Sequence, residues 1–214
     1  MNRATKIIVS TFGALIGISG INHGFFETLQ GNIPTTGLII QAIGDAQQMW
    51  LFGTEEAFTI VPNFLITGIL AMIVGLAVII WSVRFIHGKD GPLVFVILCI
   101  LSFLVGGGVA QILLFTLAWA FATRIHAPLT WWRKILPETI RHELAKLWSI
   151  ALVIASVSFL IGLEIAIFGY VPGVSKDNPE LILKICWSFV FGGGLAMFLV
   201  TFVAGFAYDI QAKE

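Results

Sequence analysis

Apolar residues run almost unbroken over 7–26, 61–83, 92–123, 147–170 and 181–207, and polar residues collect between these stretches. A helix needs about 20 apolar residues to cross the hydrocarbon of a bilayer. Four of the five runs have that length. The third is too long for one upright helix and carries Gly106, Gly107 and Gly108 at its middle. It reads either as one tilted helix or as two short helices meeting at the glycines. The pattern predicts an all-α integral membrane protein, a single transmembrane domain over 1–214 with five or six spans.

Charge placement separates the two counts, because cytoplasmic segments carry an excess of Lys and Arg. With six spans (about 7–26, 61–83, 92–107, 109–124, 147–170 and 181–207) and a cytoplasmic N-terminus, ten of the twelve cations fall inside. Only Lys176 lies in an outer loop, and Lys184 in the outer third of span six. With five spans, Arg124 to Lys146 and Lys213 move outside and the split becomes nearly even. A six-helix bundle with both termini cytoplasmic is therefore expected, in the plasma or inner membrane. Trp81, Trp119, Trp131, Trp132, Trp148 and Tyr208 then fall near the inner interface, and Trp50 and Tyr170 near the outer one, as belt residues do. Arg3 and Lys6 before an apolar run suggest a signal peptide, but no small-x-small cleavage site closes that run, so it reads as a retained first span.

Composition narrows the class. Hydrophobic residues make up 58% of the chain and charged ones 11%, far from the roughly 25% charged of a soluble domain. A water-soluble globule, a disordered chain and a nucleic-acid binder are excluded. Cys99 and Cys186 lie inside apolar runs and read as packing residues rather than disulfide or metal ligands. No Walker loop, Rossmann fingerprint, nucleophile elbow or HExxH occurs, and no cofactor or metal is implied. The glycine triplets do not look like phosphate loops, because no strand precedes them.

An internal echo is visible. Residues 102–110 read SFLVGGGVA and 188–196 read SFVFGGGLA, while 73–80 and 160–167 are similar at nearly the same offset. A three-helix unit repeated once would be inverted, as in many transporters. Convergent small-residue packing gives the same look. Gly106–Gly108 and Gly192–Gly194 are then turn or helix-packing residues, through which a second copy or another membrane protein could dock.

The polar residues within the spans lie toward the outer side: His23 and Glu27 in span one, Asn63 at the start of span two, Gln111 after the triple glycine, Glu164 in span five and Lys184 in span six. Intramembrane polar groups are costly and are usually paired or functional. His23 and Glu27, four apart, share a helix face. Glu164 and Lys184, on neighbouring helices at similar depth, are expected to pair. The long outer loop 28–60 is apolar enough to fold back as a short helix, either as a lid or as a shield for span ends. Six short spans under an apolar lid are similar in outline to the substrate-binding subunits of energy-coupling-factor vitamin transporters.

These features favour a protein that binds or transports a small hydrophobic or amphipathic molecule from an outward-facing polar vestibule, with membrane lipids as its surroundings. Two alternatives stand beside it: an intramembrane lipid-modifying enzyme using His23 and Glu27, and a non-catalytic subunit or assembly factor. Nothing in the sequence names a reaction.

Overall fold

A computed structural model describes residues 1–214. Four helices are long and apolar enough to cross a membrane: Arg3–Leu29, Phe64–Arg84, Glu138–Phe168, and the run Pro179–Gln211. We name them α1, α2, α6 and, for the last, α7 (Pro179–Trp187), a π-helical segment (Ser188–Ala196) and α8 (Met197–Gln211). Between them lie the shorter α3 (Gly91–Leu104), α4 (Gln111–Ala122) and α5 (Thr130–Ile135). The chain is a multi-pass membrane protein.

Its surface is inside-out relative to a soluble fold. On α2, Ile66, Ile69, Ile73, Leu76, Ile80 and Val83 form an exposed apolar stripe at helical spacing, while Thr67, Gly68, Ala71, Gly75 and Ser82 are buried. Lipid solvates the large side chains, so small residues are free to bring helices together. They do so between α1 and α2, which run antiparallel. A Cβ on Gly24 would lie 2.5 Å from the carbonyl of Gly68, and one on Gly17 2.5 Å from that of Gly75. The two pairs recur at seven-residue spacing on both helices, which keeps them on one face.

The triple glycine reverses the chain. Trp81 Nε1 donates to the carbonyl of Gly91 (3.0 Å) and Thr67 Oγ1 to that of Val105 (2.7 Å), so α3 is antiparallel to α2. Gln111 lies beside Ser19, and Asn2 N donates to the carbonyl of Ile125 (2.7 Å), so α4 runs back along α1. This hairpin matches the two-helix reading of 92–123. At 14 and 12 residues, its helices are shorter than the spans predicted there.

Between α3 and α4 the glycines lie in a strand, β3 (Val105–Gly108), at the edge of a three-stranded antiparallel sheet with β1 (Ile39–Gln41) and β2 (Glu56–Thr59) in the order β1-β2-β3. The short helix expected in 28–60 does not form. Ile40, Ala57 and Thr59 are buried while Ile39, Gln41 and Glu56 are exposed, a two-residue period that suits strands. The sheet caps one end of the helices, and an otherwise all-helical fold gains a small β element.

Both termini lie at the opposite end, the base. Asp209 of α8 accepts hydrogen bonds from Ala4 N (2.9 Å), Thr5 N (2.8 Å) and Thr5 Oγ1 (2.7 Å), capping the first turn of α1. Arg141 at the start of α6 and Arg133 of α5 both reach Glu214 at 3.0 Å. Helix α6 starts at Glu138, directly after Pro137, and continues to Phe168.

Candidate functional site

His23 and Glu27 occupy the face of α1 turned toward the cap. His23 is 3% exposed and Glu27 is fully buried. His23 Nε2 lies 2.9 Å from Glu55 Oε2, in the segment leading into β2. Burial pushes the Glu55 carboxyl upward, but the charge and contact of His23 outweigh it and leave it below the usual carboxylate range. Glu27 has no such partner: neither carboxyl oxygen makes a hydrogen bond, nor does His23 Nδ1.

Strand β3 explains why glycine is needed here. A Cβ on Gly106 would collide with the Glu27 carboxyl, and one on Gly108 would come 2.6 Å from His23 Cε1. Gly106 also has φ +115 and no partner in β2, the ladder slipping between Phe58 and Thr59. It is a bulge residue in a conformation open to glycine. Around this strand the cap is tied down. Gln30 Nε2 donates to the carbonyls of Gln41 (2.9 Å) and Ala42 (3.0 Å), and Trp50 Nε1 to that of Ala166 on α6 (2.9 Å). The void beside His23, lined by Asn22, Phe26, Ile43, Glu55, Leu163 and Ile167 among others, measures about 10 Å³. That is one water at most.

The remaining predicted residues are spread apart. Asn63 caps α2, accepting from Ile66 N at 3.1 Å and donating to Asn32 Oδ1 at 2.8 Å, a structural task. Gln111 is buried and donates to Ser19 Oγ at 2.9 Å, one turn of α1 from His23. Glu164 and Lys184 do not form an ion pair, and both are exposed. Ile182 and Cys186 are the α7 residues that pack toward α6, Cys186 Sγ reaching the carbonyl of Gly162 at 3.5 Å. Lys184 is two residues from each, about 200° around the helix, and so points away. The pairing expected from the sequence therefore does not form. Cys99 and Cys186 are both buried, and neither is in a disulfide.

The echo does not extend to structure. Gly106–Gly108 are extended, whereas Gly192–Gly194 lie within the π-helical segment, with Gly193 against Ser158 of α6. A strand does surround the first triplet, contrary to the sequence reading, but it presents the glycines to His23 and Glu27 rather than to a phosphate. No group of three His, Cys, Asp or Glu side chains is placed to hold a metal.

A second feature lies between α4, the π-helical segment and α6. This cleft of about 480 Å³ is lined by 13 residues, 11 of them hydrophobic, including Phe12, Leu113, Phe159, Phe191 and Phe198. Its one hydroxyl, on Thr116, is bonded back to the carbonyl of Ile112 (2.7 Å). The volume is within the roughly 300–1,000 Å³ of small-molecule sites. It begins at Val109 and Ala110, immediately after the glycine that covers His23.

Compared with family models, curated proteins and solved structures, the chain matches none, so the outline likeness to vitamin-transporter subunits gains no support. Sequence reasoning missed Glu55 as the partner of His23. Its one signal was an outer loop with acids and no cations. It also missed the cleft, which no polar residue marks.

Proposed function

We propose that this protein binds a small hydrophobic or amphipathic molecule, entering sideways from the lipid into the cleft between α4 and the π-helical segment. The cleft carries the reading: in water it would be a liability, but beside lipid it is a receptacle for a hydrocarbon chain. A π-helical wall supports it, since such segments are frequent at functional sites. The His23–Glu55–Glu27 cluster lies at the cleft's cap end, behind β3, where it would respond to a polar headgroup only if the strand shifts. Acid–base chemistry at His23 and Glu27 has less support, because the void beside them admits no substrate.

Six crossings, with the base in the cytoplasm of a plasma or inner membrane, are part of the same proposal. The α3–α4 reversal and the shared end of the termini support it, as does the cation bias.

The test is native mass spectrometry of the purified protein, with displacement of a fluorescent fatty acid. Leu113→Trp and Thr116→Trp, at exposed positions that line the cleft, should cut probe binding at least tenfold while leaving the thermal transition in place. Unchanged binding in both variants would overturn the reading.

A further inference from the structure

From Ile7 to Val83 the chain contains no Lys or Arg, and the cations that bracket this stretch are Lys6 and Arg84. The antiparallel α1–α2 pair brings the two brackets together at the base. They line one pocket of about 470 Å³ with Val83, Phe85, His87 and Gly88, and no acidic side chain lines it. Neither Lys6 nor Arg84 is in an ion pair. The first-turn amides of α1 already have the Asp209 carboxylate as their acceptor, so the unmet charge is that of the two converging cations, whose mutual repulsion an anion between them relieves.

The pocket's position says which anion. Val83 and Phe85 are exposed, and Val83 ends the lipid-facing stripe of α2. Cationic groups at the end of such a stripe sit at headgroup depth, with room for acyl chains along Ile80 and Leu76. We propose that Lys6, Arg84 and His87 form a headgroup site for an anionic phospholipid, its phosphate between Lys6 and Arg84 and its chains on the α2 stripe. The site is separate from the cleft, where no charged group selects a headgroup.

The experiment is native mass spectrometry of the full chain after equilibration with mixed micelles of phosphatidylglycerol and phosphatidylcholine. Wild type should retain phosphatidylglycerol at least fivefold over phosphatidylcholine. Lys6→Gln/Arg84→Gln should abolish that preference, and Arg84→Gln alone, at an exposed position, should at least halve it. Arg124→Gln, which removes a base cation outside the pocket, and Leu113→Trp in the cleft should keep it. Millimolar inorganic phosphate should leave the bound lipid in place. An absent preference, an equal loss in Arg124→Gln, or displacement by inorganic phosphate would each overturn the lipid assignment, the last in favour of a free-phosphate site.

Discussion

His23 Nε2 and Glu55 Oε2, 32 positions apart in the chain, meet at 2.9 Å and join the first helix to the loop that covers it. The contact lies between a buried imidazole and a carboxylate that is about one third exposed, so it fastens the cap while remaining open to the solution pH.

A carboxylate whose folded value is depressed contributes stability above its unfolded value and loses it as pH falls through the folded one. Glu55 ordinarily titrates at 4.5 and is lower here. Cap stability should therefore fall as the medium is acidified below 4.5. Hydrogen exchange over residues 39–59 should quicken in that window. In Glu55→Gln it should be fast already at pH 7, with the acid dependence flattened. Identical profiles for the two proteins would show that the contact does not hold the cap.

Glu27 gives a different expectation, because no group pairs with it. Glu27→Gln keeps the shape and should change stability by no more than about 1 kcal/mol. Glu27→Ala empties a packed site and should cost about 2 kcal/mol or more. Gly106→Ala should be at least as harmful, since the added methyl meets both the Glu27 carboxyl and an unfavourable φ. Denaturation of the three variants in mild detergent ranks them.

The α1–α2 seam is tested at its glycines. Gly24→Ala and Gly68→Ala each place a methyl against backbone and should destabilise by about 1–3 kcal/mol. Gly192→Ala is the control: nothing lies within 4 Å of the added carbon, so stability should hold or rise slightly. Equal losses at all three positions would mean that the seam is not where the helices are held.

Topology can be read with membrane-impermeant thiol reagents, because both native cysteines are buried. Thr130→Cys, at the base, should label only in inverted vesicles, and Lys176→Cys, near the cap, only in intact cells. Labelling of both from one side, or the exchanged pattern that five spans would give, would end the six-span proposal.

How much of this was legible in the sequence depends on the interaction concerned. Apolar run length gave the four long helices, and the i, i+4 spacing put His23 and Glu27 on one face. Glu55 was not legible as their partner, because its position depends on a sheet edge formed by a distant glycine strand. For Glu164 and Lys184 the sequence supplies depth alone. Depth fixes height along a helix but not the direction a side chain takes around it, and Ile182 and Cys186 take the inward direction. The seven-residue glycine spacing of α1 and α2 was present in the sequence but less conspicuous than the triplets. The triplets themselves share letters and differ in neighbours: β2 offers the first a ladder, while α6 packs against the second.

Asp209 gives the fold an order of assembly. The amides of Ala4 and Thr5 are made before α8, and the carboxylate that satisfies them lies 205 and 204 positions further along the chain. Until α8 arrives, α1 stands in the bilayer with its first turn open. A protein truncated before Asp209 would thus lose more than the end of α8: it would leave the first turn of α1 without its acceptor.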